Sequence, residues 1–233
     1  MWEEFWGEFV PRATKGERYG VVINGDAVEG THHRASTPIS HNLEDQIALA
    51  EKILAPIAER ADGNFWAVRG TEAHVGISAR EEEALYRRLG ARRDRDGKYC
   101  RWELWLRVGG HLVHFLHHIG TTSSSAHEAS AVNAEVSAAY NEAARWGEEP
   151  PAVVVRSHRH RFIEVRIPTA RGFTTSTVTP GWQLKTPFTW KIAGGRLSPP
   201  QFGGIVITAH EDGVIFTQPK VWHIGRTNEA HLH

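Results

Sequence analysis

The sequence predicts an α/β fold in which two β-sheets pack face to face with helices outside, an αββα sandwich, and three observations predict it. Apolar strand-like runs alternate with amphipathic helical runs through the first part of the chain, and the remainder is strand-rich. Chemically reactive residues follow several of these runs directly, and open α/β sheets bind their ligands in the loops at the carboxyl ends of strands. Neither an internal repeat nor a low-complexity linker divides the 233 residues, so positions 1–233 read as a single domain.

Taken in order, Trp2, Phe5, Trp6 and Phe9 fall at helical spacing and predict a helix ending near Pro11. The strand that an alternating α/β chain would place before such a helix is missing. Tyr19 to Ile23 reads as a buried parallel strand stopped by Asn24, Gly25 and Asp26. Asn42 can cap a helix whose broad apolar face carries Leu43, Ile47, Leu49, Ile53, Leu54 and Ile57. Phe65 to Val68 is the next buried strand, and Ser78 to Leu89 a charged helix with its leucines turned inward. Residues 102–108 alternate, Gly109 and Gly110 supply a hairpin turn, and residues 111–116 return as a strand. Residues 128–146 are alanine-rich and helical. Residues 152–155, 162–167, 173–178, 204–209 and 214–218 read as strands, the last two joined at Asp212 and Gly213.

Composition excludes several function classes. Lysine plus arginine equals aspartate plus glutamate at 27 each, so no net field draws the whole molecule to nucleic acid or an anionic membrane. No apolar run approaches the roughly 18 residues of a membrane span, and the first residues lack the basic start and apolar run of a signal peptide. A cytoplasmic location is expected. The single cysteine, Cys100, excludes an internal disulfide framework and a thiolate zinc cluster, so a metal site has to be built from carboxylates and the 15 histidines.

The reactive residues occur in a fixed order: Gly25-Asp26 with Gly30, then Gly70 with Thr71 and His74, then His117-His118, then His158-Arg159-His160, each group after a strand. This order resembles the calcineurin-like metallophosphoesterase superfamily over residues 20–216, and the spacing of Gly70, Thr71 and His74 is similar to its phage-type branches. The resemblance implies hydrolysis of a phosphodiester or nucleotide by a metal-bound hydroxide, with one or two divalent ions, Mn2+, Zn2+ or Fe. It implies Asp26 as the carboxylate bridging two metals, His117, His158 and His160 as imidazole ligands, Thr71 in the place of a ligand asparagine, and His74 as the proton donor to the leaving oxygen. His118 is the rival of His117. Chemically, a carboxylate offsets two cations about 3.5–4 Å apart, and a histidine exchanges protons near neutrality. Arg34, Arg69, Arg156 and Arg159 flank these positions and are suited to orient phosphate through paired donors.

Two departures from the family pattern open alternatives. Thr71 offers a weaker ligand than asparagine. The family's opening Asp-x-His has no counterpart before Asp26, so either the sequence begins downstream of that strand or one metal position has lost half its ligands. A binding or assembly module that keeps the fold without the chemistry is the competing expectation. Taken singly, Asp26 also reads as a turn cap, His158 and His160 as part of a basic surface edge, His74 as a loop histidine, and His32 and His33 either as residues that reach substrate or as solvated loop residues. Trp182, Gln183, Trp190 and residues 186–188 read equally as a substrate groove or as packing.

Overall fold

A computed structural model describes residues 1–32, 36–76, 78–120, 125–192, 198–210 and 212–225. Arg34 and His33 lie outside the described residues. Strands β1 (Val21–Asn24) and β2 (Phe65–Val68) pair in parallel. Each sends alternate residues to opposite faces, as a period of two requires. Val21, Ile23, Phe65 and Ala67 pack with Ile47, Leu54 and Ile57 of helix Leu43–Arg60 and with Leu85 and Tyr86 of helix Arg80–Arg88. Leu49 and Ile53, expected on the same apolar face of the first of these helices, are exposed. Val22, Trp66 and Val68 face the other way, onto the second sheet.

That second sheet has the order β3-β4-β5-β7-β6, built from β3 (Glu103–Val108), β4 (His111–Leu116), β5 (Val153–Arg156), β6 (Ile163–Thr169) and β7 (Gly172–Val178). Leu104, Val113, Phe115, Val153 and Val155 meet Val22, Trp66 and Val68, with Ile205, Ile207 and Ile215 from a hairpin of β8 (Gln201–Ala209) and β9 (Ile215–His223) closing the same core. Helix Glu128–Trp146 covers the far face through Val132 against Val178, Ile163 and Val165. The layers are therefore helix, sheet, sheet, helix.

Local chemistry explains the boundaries. Gly109 and Gly110 both take positive φ (54° and 86°), the backbone of the two-residue turn that matches strand twist. Asn42 caps its helix by accepting the Glu44 N–H at 3.1 Å. The N-terminal helix does not stop at Pro11. It runs without a break as Trp2–Glu4, a π-helical turn Phe5–Phe9, then Val10–Ala13; Pro11 has no N–H to give, and the Trp6 carbonyl one π-turn before it accepts from Arg60 Nη1 at 3.1 Å. Among the described residues no strand precedes β1, and β1 pairs only with β2. A cavity of about 1530 Å3 is lined by Val22 and Ile23 of β1, by Ile205 and Ile207 of β8, and by Asp26 and His117. None of the described helices is long and apolar enough to cross a membrane.

Candidate metal centre

The ends of β1, β2, β4 and β5 converge. Gly25 (φ +89°) turns the chain out of β1, and Asp26 follows at φ +55°. Six non-glycine residues among those described have positive φ, and three of them are Asp26, His158 and His160. Aspartate and histidine tolerate this region better than most residues, and such strain collects at functional sites. The glycines permit close approach: a Cβ on Gly25 would lie 2.2 Å from His117 Nδ1, and one on Gly70 would lie 2.1 Å from Asp26 Oδ1.

Asp26 Oδ1 accepts the Thr71 N–H at 2.7 Å and the Thr71 hydroxyl at 3.3 Å. Its other oxygen, Oδ2, stands 2.9 Å from His117 Nε2 and 3.9 Å from His74 Nε2. His117 Nδ1 lies 2.6 Å from the Asn24 carbonyl oxygen, which only accepts, so Nδ1 carries a proton and donates it. Nε2 then faces a carboxylate oxygen, where the Asp26 charge favours a second proton on the ring when no cation is bound. Asp26 Oδ2 and His117 Nε2 are both buried, and neither makes a geometrically sound hydrogen bond to any described group. His158, on the rim, completes a group in which one ligand atom from each of Asp26, His117 and His158 lies within 4.8 Å of the others.

Protonation states suit a cation. Burial works to raise the Asp26 pKa, but the bonding and charge of His117, with His74 and the Thr71 N–H, outweigh it and hold the carboxyl well below its ordinary range. Burial lowers His117 and the Asp26 charge overcomes it, so its pKa rises. His158 is exposed, yet the protein packed around it and the neighbouring His117 push its pKa down to about 4. Near neutral pH the group therefore holds one carboxylate and a neutral His158 imidazole. Two facing lone pairs repel unless a proton or a metal ion lies between them, and a histidine whose Nδ1–H is tied to a backbone carbonyl is the common arrangement of a metal ligand. The residues present fit one divalent transition ion.

No family model matches the chain, and no curated protein matches it. Two solved structures align along most of it. One is Vps29 complexed with Zn2+ from Entamoeba histolytica, at 10% identity and a TM-score of 0.38 over 86% of this chain and 97% of that one. The other is vacuolar protein sorting 29 from Cryptosporidium parvum, at 10% identity and a TM-score of 0.34 over 87% and 96%. Likeness this slight decides neither family nor function.

The remaining sequence candidates separate. His118 is exposed, its ring 5.3 Å from that of His117, while His117 takes the position beside Asp26. His160 lines the same cavity and packs on Gly181, but stands outside the three-ligand group. Thr71, expected as a ligand, directs its N–H and hydroxyl to Asp26 and so aims the carboxylate. Arg69 does not face the site; its Nε–H bonds the Cys100 carbonyl at 3.2 Å and its guanidinium stacks 4.6 Å over Trp102. Arg156 is buried under the second sheet, paired with Glu135 at 2.9 Å, because the alternation of β5 turns it toward the outer helix. Arg159 bonds the Gly120 carbonyl through one nitrogen and keeps a buried Nη1 without a partner among the described residues. Trp182 packs against Trp2, Phe5, Phe202 and Trp222, joining the N-terminal helix to the β8–β9 hairpin.

Three supports escape a reading of motifs. Glu82, fully buried, accepts the Ala27 N–H at 3.0 Å and the Gly70 N–H at 2.8 Å, so one carboxylate fastens the loops after β1 and β2. Gln46 accepts the Gly30 N–H at 2.8 Å and donates to the Gly30 and Ser40 carbonyls. Asn24 donates to the Leu116 carbonyl and to Ser157 Oγ, tying β1 to the ends of β4 and β5. The signal for Glu82 and Gln46 is helical phase, since each stands four residues before a buried apolar residue, Tyr86 and Ala50.

One substitution tests the packing behind the ligands. Gly25→Ala forces a Cβ into the His117 ring at a φ that costs a non-glycine residue about 1–3 kcal/mol. Metal uptake, measured by titration calorimetry, should fall together with the melting temperature.

Proposed function

We propose that this protein is a metal-dependent phosphoesterase of the calcineurin-like kind, acting on a phosphodiester or a nucleotide. The observation that carries the reading is the buried, facing pair of Asp26 Oδ2 and His117 Nε2, with His158 completing the ligand set. A divalent ion held there supplies Lewis-acid charge on the phosphoryl oxygens and acidifies water as a nucleophile. The chain does the rest. Asp26 brings negative charge aimed by Thr71, and Asn24 fixes the His117 tautomer. His74 bonds the Glu29 carbonyl through Nδ1 at 2.8 Å, which leaves Nε2 facing Asp26. In its imidazolium form that nitrogen is placed to give a proton to a departing alkoxide. The cavity of about 1530 Å3 is large enough for a nucleotide.

A second reading, a binding module without turnover, is favoured by one observation: Arg69 and Arg156 are both committed away from the site. Hydrolysis of a chromogenic phosphodiester with added Mn2+ separates the two. The enzyme reading expects turnover that rises with metal occupancy and is lost in His74→Ala. An absence of metal uptake by the folded chain, or full occupancy with no hydrolysis of diesters or nucleotides, removes the enzyme reading and leaves the binding module, whereas near-stoichiometric metal argues against a module that is inert.

A further inference from the structure

Beside the first ligand group lies another that the sequence motifs do not contain. Glu29 and His32, on the loop after β1, meet His74 from the short helix Glu72–Val75 that follows β2. One ligand atom from each lies within 4.8 Å of the others, and all three side chains are well buried, at 19%, 10% and 15% exposure. We infer that Glu29, His32 and His74 form a second site for a divalent transition ion, adjoining the first through His74, whose Nε2 stands 3.9 Å from Asp26 Oδ2. The inference stands on these residues and does not rest on phosphoester chemistry at Asp26.

Its geometry is pre-set from several directions. Glu29 Oε1 is 3.1 Å from His32 Nε2, while Oε2 accepts from the Gln183 amide, so the carboxylate is oriented with one oxygen toward the imidazoles. The Glu29 carbonyl holds His74 Nδ1 at 2.8 Å, and the His32 and His74 rings meet edge to face with centroids 4.4 Å apart. Gly30 makes the loop approach the His74 backbone so closely that a Cβ there would lie 2.0 Å from the His74 carbonyl oxygen, and Gln46 clamps the same residue from the helix behind. Two imidazoles and one carboxylate form a donor set suited to zinc, cobalt or nickel, with further positions open to water. Calcium and magnesium, which favour oxygen donors, are disfavoured.

Occupancy has a consequence for the neighbouring centre. A cation on the His74 ring displaces the acidic proton of its imidazolium form, so filling this site removes the proton donor. Excess metal should then inhibit what the first ion activates. Such inhibition is a corollary of the site and of the first reading together, whereas binding tests the site alone.

Co2+ titration of the full chain, followed by visible absorption and equilibrium dialysis, tests the site. One Co2+ equivalent should persist in Asp26→Asn. In His32→Ala and the isosteric Glu29→Gln that equivalent should bind about 100-fold more weakly or not at all, with the Asp26-dependent equivalent retained. Near-UV circular dichroism reports whether each variant is folded, and Glu29→Gln preserves shape if His32→Ala does not fold. No Co2+ uptake by folded Asp26→Asn, or wild-type binding by a folded Glu29→Gln chain, overturns the proposal and leaves a hydrogen-bonded polar cluster.

Discussion

Asp26→Asn should lower divalent-metal affinity at the first centre by more than about 100-fold, about 2.7 kcal/mol, while leaving the metal-free protein, at a pH above the raised pKa of His117, as stable as before or slightly more so. The two halves of this result come from one geometry. Asparagine keeps an oxygen for the Thr71 N–H and turns its amide toward His117 Nε2, which in the neutral ring sets a lone pair against a carboxylate oxygen at 2.9 Å. A repulsive contact becomes a hydrogen bond, and the negative charge that attracts the cation disappears. Gain of stability on loss of function is the mark of a site shaped for a ligand. Were Asp26 and His117 instead a structural ion pair, removing one partner from a buried site would cost about 3–5 kcal/mol. Thermal melts of the metal-free proteins, paired with metal titrations, distinguish the cases.

Glu82→Leu should be the most damaging single change outside the ligands. It leaves the Ala27 and Gly70 N–H groups buried without acceptors, at about 1–3 kcal/mol each. For a chain of this size a loss of 1 kcal/mol moves the melting temperature by roughly 2–4 °C, so a fall on the order of 10 °C is expected. Metal uptake should fail with it, because those two loops carry Asp26 and Thr71. Glu82→Gln keeps one acceptor and should lose about half as much. Burial, opposed in part by the two N–H donors, raises the Glu82 pKa above its ordinary 4.5. The stability this shift contributes is fully present below 4.5 and declines as the pH rises through the raised value. Glu82→Gln should be flat across that window in denaturant titrations run at several pH values.

Much of the architecture could be read from residue order because it rests on local periodicity. The alternation of Val21 to Ile23 and of Phe65 to Val68 assigns each side chain to the helix-facing or the sheet-facing core, and Gly109-Gly110 sets the β3–β4 hairpin. Asp26, His117 and His158 were legible because each ends a strand, and parallel neighbours β4 and β5 bring their ends to one rim. What was not legible depends on where a side chain points after a turn. Arg69 and Arg156 stand beside ligands in sequence, yet pleat direction sends one to Trp102 and the other beneath the sheet to Glu135. His160 is two residues from His158, but both occupy left-handed backbone, so the rule that alternate residues share a face does not apply. Glu29 and His32 carry no family motif. Only the close packing of Gly30 on the His74 backbone brings them to that ring.

Crystals of the protein soaked in Zn2+, with anomalous difference density measured at the zinc edge, address the first centre directly. A peak should lie about 2.0–2.2 Å from Asp26 Oδ2, His117 Nε2 and a ring nitrogen of His158, with His117 Nδ1 still donating to the Asn24 carbonyl. Density absent from that position at saturating zinc, with His117 protonated on both nitrogens and bonded to Asp26, would contradict the account.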